Sequence, residues 1–409
     1  MSANRRLLIC SPGIPHPSCG ASIVLFHHYI QRLKREGFNI LNLLLLDEHT
    51  YDKEALDEYM KRVAEPGRFQ VIACRADRFI EYDRYGQRLR RRVLSEALNR
   101  AEVFQPDCVF AIDLLSAWAT REIAAQTKIV WLGDLNFQTQ WYHWLYSVKE
   151  KPHKLTSFPR TWLRGRSWKR TYRQVLSDTD LVVVSSKSSE GQLRRLGISS
   201  TYLPYPWPVE SETKATQKND KPSFLLMGTL VGLGSKSAFH FLIRSVYPKL
   251  VKRWGKDGFQ IFIAGRYELP GWVEKAIAAK TELKYLGFVD DLETLMSSCH
   301  AVLAPIDVPV GNRCRILTAM ANRSLVIAHR NTSLGNPDLV DDYNCLLATY
   351  GQRFADCMQR AVNEPEQVAT IIENARHTYE NRFAPEKATT LFMNELSRII
   401  NKQPARQAA

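Results

Sequence analysis

Arg313 and Arg315 stand at the head of a helical pattern in residues 303–323, LAPIDVPVGNRCRILTAMANR. Arginines at a helix N-terminus oppose the helix dipole unless an anion lies there. Backbone N–H groups beside guanidinium donors are what a phosphate needs. The apolar run Val302–Leu303–Ala304 reads as a strand end, and Pro305, Pro309, Gly311 and Asn312 make a turn. Ile316, Leu317, Ala319, Met320 and Ala321 then give helical spacing, from a start near Asn312 or Arg313. The segment reads as a phosphate-binding strand–loop–helix. The alternative is a solvated basic helix start.

Further anion-binding parts lie upstream. In GTLVGLGSKSA, Gly228, Gly232 and Gly234 give compact backbone and Lys236 a point charge; Arg266 follows Gly265 after another apolar run. With Arg313 and Arg315 these suit a diphosphate. The loop lacks the GK[ST] ending of a P-loop, so nucleotide hydrolysis of that type is disfavoured. A diphosphate leaving group points to glycosyl transfer, in which donors stabilise charge on the departing phosphate. Lys236 and Arg313 are the first candidates, Arg266 and Arg315 the next.

The first half offers different chemistry. Gly13 and Gly20, in the loop SPGIPHPSCGAS, let backbone approach a substrate; His16 lies between them. Asp113 and Asp134 close two apolar runs, at the strand ends where α/β sites form. Asp134 could accept a proton from an acceptor hydroxyl, orient that hydroxyl, or serve as a helix cap or salt-bridge partner. No dinucleotide fingerprint is present.

These residues need a scaffold, and the chain supplies two. Strands alternate with helices from RLLIC at 6–10 onward, stop at the stiff PYPWP exit, and restart at Phe224–Met227. The polar run 210–221 reads as a linker. The expected architecture is α/β, with two doubly wound Rossmann-like domains facing a central cleft. Expected bounds are 1–208, a linker at 209–222, a second domain at 223–384 and a final helix at 385–400. Further expectations are a basic helix over 84–105, helices over 116–126 and from Ser237, and a strand at 181–184.

The 409 residues hold 56 Lys and Arg against 42 Asp and Glu, a net charge of +14. That favours an anionic partner: nucleotide, nucleic acid, phospholipid or anionic glycan. The most basic stretch is PRTWLRGRSWKRTYR, where arginines interleave with Trp162, Trp168 and Tyr172; Trp141, Tyr142, Trp144 and Tyr146 precede it. Such a surface suits a bilayer, a lipid-linked acceptor or a nucleic acid, and its aromatics equally suit ordinary packing. No apolar run is long enough to span a membrane. The eight cysteines are scattered without a metal-ligand pair, which fits a reducing interior. The expected location is cytoplasmic, peripheral on the inner face of the membrane.

The chain resembles the GT-B glycosyltransferases, and within them the large retaining group called family 4. Four segments carry the resemblance: the loop from Gly13 to Ala21; LVVVSS…EGQLRRLGI…YLPYP at 181–206; FLLMGTL…K at 224–236; and VLAPIDVPVGNRCRILTAMANRSLVIAHRNTSLG at 302–335. The resemblance implies a nucleotide-diphosphate sugar, UDP- or GDP-linked, held mainly by the second domain. Gly228, Thr229, Gly234, Gly311, Asn312, Leu334 and Gly335 would join the basic residues there. It implies an acceptor on the first domain, near Gly13, His16, Gly20, Ala21 and Asp113. It also implies no metal or other cofactor, and a last helix that crosses back to the first domain. The family's paired glutamates correspond to Val310 and Thr318, neither acidic here. Its arginine in the first loop of the second domain falls at Thr229, and of its His–Asp step only Asp134 matches.

The function expected is transfer of a sugar to a glycan or lipid-linked acceptor, in cell-envelope or exopolysaccharide synthesis. The alternatives are a sugar-nucleotide epimerase or hydrolase on the same scaffold, and a non-catalytic basic scaffold or nucleic-acid-binding protein.

Overall fold

Runs such as RLLICS and CVFAI carry apolar side chains on successive residues, which suits strands covered on both faces. The computed structural model describes residues 5–18, 21–83, 86–209, 217–230, 232–265 and 268–402. The chain divides into two units, residues 1–208 with 385–409, and residues 209–384.

In the first unit, strands β1 (Arg6–Ser11), β2 (Asn39–Leu46) and β3 (Phe69–Arg75) alternate with helices α1 (Ala21–Arg35) and α2 (Lys53–Val63). A hairpin of β4 (Ile80–Asp83) and β5 (Gly86–Leu89) precedes α3 (Ser95–Val103). Then come β6 (Cys108–Ile112), α4 (Leu114–Thr120), β7 (Thr127–Leu132), α5 (Asn136–Glu150) and α6 (Phe158–Leu176). β8 (Leu181–Val184), α7 (Lys187–Arg194) and β9 (Thr201–Tyr202) complete this part. Seven strands pair in parallel in the order β3-β2-β1-β6-β7-β8-β9.

The second unit contains β10 (Ser223–Met227), then α8 (Leu233–Phe241), which continues through one π-helical segment into α9 (Tyr247–Trp254). β11 (Gln260–Ala264), α10 (Gly271–Ile277), β12 (Leu283–Gly287), α11 (Leu292–Ser298), β13 (Ala301–Ala304) and α12 (Cys314–Ala321) follow. β14 (Val326–His329), α13 (Asn331–Gly335), β15 (Leu346–Ala348), α14 (Gly351–Asn363) and α15 (Pro365–Arg382) end it. Its parallel sheet runs β12-β11-β10-β13-β14-β15.

Both orders reverse once. The chain works outward from β1 to β3 and then restarts on the other side of β1 with β6; β10 and β13 repeat the device. Loops that leave neighbouring strands in opposite directions open a crevice at the strands' C-terminal ends. The switch points are therefore the loops after β1 and β6 in one unit, and after β10 and β13 in the other.

The last helix, α16 (Pro385–Lys402), belongs to the first unit. Buried Phe392 lies 4.9 Å from the Tyr29 ring and 5.0 Å from that of Phe110, and Arg32 Nη1 donates to Glu386 Oε1 at 2.6 Å.

Three local expectations change. Residues 84–105 are not one helix: the β4–β5 hairpin pairs Ile80 with Leu89, both packed against the core. Arg90 N donates to Phe79 O at 2.8 Å, and the α-helix starts only at Ser95. Burial of Ile80 and Leu89 outweighs the helix propensity of the arginine run. The helix after Asp113 begins at once, at Leu114, because the Asp113 carboxylate caps it. The helix expected from Ser237 starts four residues earlier, at Leu233.

Candidate active site

At the switch point of the second unit, β10 is followed by Gly228, with φ +115°, a conformation that favours glycine. Its missing side chain makes room for Arg315: a Cβ there would lie 2.6 Å from Nη2. Gly265, at the end of β11, packs equally close; a Cβ on it would stand 2.6 Å from Gly228 O. Arg315, in the first turn of α12, donates from Nη2 to Ser235 Oγ at 2.7 Å. Its Nη1 is buried without a hydrogen-bond partner, and among the described residues no carboxylate pairs with it. Burial, opposed by Cys314 and reinforced by the charge of Arg313, draws the Arg315 guanidinium below its ordinary pKa. It remains a cation at neutral pH.

Arg313 caps α12 without a side-chain cap bond, one residue later than the expected start. Its guanidinium lies over Gly234, where a Cβ would come within 3.1 Å of Nη1, and Nη2 donates to Val310 O. Gly311, at φ +71°, turns the loop; Asn312 Oδ1 accepts from Arg313 N at 2.8 Å, and Asn312 Nδ2 is buried without a partner. Two arginines thus converge on two glycine-lined backbone segments. A half-buried cation with one buried, unpaired nitrogen and an unused amide donor beside bare backbone suit an anion.

The first unit brings together carboxylates instead. Asp113 takes φ +74° at the end of β6, strain that persists only where surroundings enforce it. Its N donates to Trp131 O at 2.8 Å, and its Oδ1 accepts from Leu114 N at 2.7 Å. Burial raises its pKa, the Leu114 hydrogen bond opposes this, and the charge of Asp134 adds to the rise. Asp134, after β7, is exposed. Beyond it, the Tyr172 hydroxyl donates to Asn136 Oδ1 at 2.7 Å and accepts from Asn136 N at 3.2 Å.

Residues 221–364 match the family model described as Glycosyl transferases group 1. That match likens this part of the chain to the group 1 glycosyltransferases. The whole chain follows the fold of solved two-domain enzymes. Sucrose-phosphate synthase from Thermosynechococcus elongatus aligns at TM-score 0.64 and 16% identity, covering 97% of this chain and 99% of that one. Anabaena HepE in complex with UDP aligns at 0.64 and 14%, covering 96% and 100%. WaaG, described as a glycosyltransferase involved in lipopolysaccharide biosynthesis, aligns at 0.59 and 12%, covering 94% and 99%. These likenesses establish the α/β GT-B fold. Among the curated proteins none matches significantly.

Within the matched residues, Gly228, Gly234, Gly311, Asn312, Arg313 and Arg315 form one group. Thr229 adjoins it; its N would lie 3.4 Å from a Cβ on Gly265. Lys236 sits on α8 with Nζ 5.9 Å from the Trp272 ring centroid; that ring stacks on His240 at 4.7 Å. Exposed Leu334 and buried Gly335 lie on α13. The same helix is tied to the loop after β13 by Asn331 Nδ2, which donates to Asp307 O at 2.6 Å. Ser235, the hydrogen-bond partner of Arg315, carries no signal of its own within GLGSKSA, where the glycines and the lysine are the unusual residue types. Arg266 lies outside the described residues, as does Gly20 in the first unit.

In that unit a Cβ on Gly13 would meet Ile23 Cδ1 at 2.5 Å, which makes Gly13 a packing position as well as a loop residue. His16 Nδ1 accepts from Ser18 N at 3.2 Å, and Ala21 opens α1. Among the described residues no group of three or more His, Cys, Asp and Glu could hold a metal ion, and no helix is long and apolar enough to cross a membrane.

The basic, aromatic stretch divides by face. Trp168 and Tyr172 are buried on α6, as is Tyr146 on α5. Phe158, Trp162 and Leu163 stay 41%, 46% and 60% exposed, beside exposed Arg160, Arg164 and Arg166.

Proposed function

We propose that the protein transfers a sugar from a nucleotide diphosphate to a hydroxyl of a glycan or lipid-linked acceptor in envelope or exopolysaccharide assembly. The observation that carries this is the convergence of Arg313 and Arg315 on Gly228 and Gly234, inside the matched residues. A diphosphate supplies the counter-charge that the half-buried Arg315 lacks. As the bond to the sugar breaks, the two guanidinium groups meet the charge growing on the departing phosphate. They stand in place beforehand, so little reorganisation is needed. Lys236, Asn312 and Thr229 complete the donor side, with Leu334 and Gly335 toward the nucleoside. HepE in complex with UDP-glucose supports a UDP-linked donor.

On the acceptor side Asp134 is the better proton acceptor. Asp113 already caps α4 and is held by desolvation nearer its neutral form. Its task is to position, and to keep the strand end in its strained shape. The chemistry needs no cofactor beyond the sugar nucleotide.

The exposed apolar residues of α6, ringed by arginines, suit the surface of an anionic bilayer, and the protein would work there as a peripheral enzyme. Trp162→Ala with Leu163→Ala should reduce co-flotation with anionic vesicles and leave the small binding to neutral vesicles unchanged. Equal flotation of variant and wild type would remove this face from the account.

The transfer reading is tested with purified protein, labelled UDP- and GDP-sugars and product detection. Transfer to an added acceptor is expected. Release of free sugar or an epimerised nucleotide would replace it with the hydrolase or epimerase reading, and a salt-sensitive nucleic-acid complex without donor binding would favour a scaffold.

A further inference from the structure

α5 meets α6 through an aromatic stripe, Phe137 on Tyr172 and Trp141 and Trp144 on Phe158, and carries a polar stripe beside it. Asn136, Thr139, Gln140 and His143 recur at helical spacing on one side of it. With Arg164 and Trp168 of α6 and Asp134 at the strand end, they line a pocket of about 470 Å³. Its floor is fixed: buried Trp168 belongs to the core, and Tyr172 one turn beyond locks Asn136 by two hydrogen bonds. Thr139 Oγ1 and Gln140 Oε1 are buried there without a hydrogen-bond partner among the described residues.

Unsatisfied buried oxygens define what the pocket lacks. Gln140 Oε1 can only accept, so its partner must be a donor. A carboxylate brings only acceptors at neutral pH and leaves that oxygen unpaired, and a phosphate is an anion whose oxygens are mostly acceptors. Sugar hydroxyls donate and accept at once, and can engage Gln140, Thr139 and Asp134 as donors while Arg164 and His143 supply hydrogen bonds to their oxygens. The Trp168 ring offers an apolar wall for the C–H face of a pyranose. The volume lies within the range of small-molecule sites. We infer that the α5–α6 pocket seats a neutral hexopyranose. As the seat of the acceptor's terminal sugar it rests on the transfer reading, and places the nucleophilic hydroxyl at Asp134. As a sugar site it stands on its own lining.

The test is saturation-transfer NMR on the full-length protein. The probes are the methyl glycosides of glucose, galactose and mannose, with methyl glucuronide and inorganic phosphate as anionic comparisons. At least one neutral glycoside should bind, and Gln140→Ala should weaken it by about tenfold, the worth of one good hydrogen bond. Thr139→Val is the second variant, should Gln140→Ala melt early. UDP affinity is measured alongside and should not change in either. Preference for glucuronide or phosphate would overturn the assignment, and so would no glycoside binding or binding indifferent to both variants. UDP binding without glycoside binding would remove the pocket and leave the transfer reading intact. Glycoside binding without any nucleotide binding would do the reverse.

Discussion

At the switch point of the second unit, the loop after β10 carries glycines and the helix after β13 carries arginines. At the corresponding place in the first unit, β6 ends in a strained aspartate and β7 is followed by a second one. The scaffold is the same and the electrostatics are opposite. In the second unit desolvation lowers the pKa of a guanidinium, and in the first it raises that of a carboxyl; in each, a neighbour of like charge adds to the shift. Each group is held in a form that costs stability until a ligand arrives. The difference teaches that charge sign, not fold, would divide the labour on the proposed reading: a diphosphate in one crevice, hydroxyl groups and a proton in the other.

Three changes would break or sharpen that contrast. The largest effect should come from Asp134→Asn, which keeps the shape and removes the base. Turnover should fall about 100-fold with UDP affinity unchanged, whereas Asp113→Asn should act mainly on stability. Full activity in Asp134→Asn, measured by initial rates, would take proton transfer away from this residue.

Next is Gly228→Ala. The added Cβ would press on the Arg315 guanidinium and occupy a backbone conformation that alanine resists. UDP affinity should drop by about 1–3 kcal/mol, and the melting temperature should fall too, because alanine is strained at this φ. Calorimetric titration reads this directly.

The smallest effect belongs to His27 on α1, whose pKa burial, helped by His28, Arg62 and His16, lowers to about 4. Between pH 6.5 and about 4 the unfolded chain binds the additional proton. Stability should therefore fall as pH drops through that window and level off below it. His27→Gln should flatten the melting profile by roughly a few degrees. An unchanged profile would free His27 from this role.

Much of this was legible in the residues. The parallel strands are doubly buried and so read as unbroken apolar runs, and the strand-end glycines and Arg313–Arg315 stood out because they contradict their local setting. The β4–β5 hairpin was hidden because its apolar positions, Ile80 and Leu89, are anchored by distant core residues that no local window contains. Ser235 and the α5–α6 pocket were hidden for a related reason. A serine among glycines and a polar stripe on a helix gain meaning only from what packs across from them. Arg315 ranks below Arg313 from the residues alone, yet it is Arg315 whose Nη1 is buried and unpaired, packed beside Gly228, far away in the chain.

The central claim is that the crevice holding Arg315 is a diphosphate site, and the most direct test is calorimetric titration of UDP and GDP into wild type and Arg315→Met. The methionine keeps much of the volume and removes the half-buried charge. Nucleotide affinity should fall by about 2–5 kcal/mol, while the unliganded variant melts no lower than wild type, because an uncompensated cation has been removed. Equal nucleotide affinity in the two proteins would contradict the account.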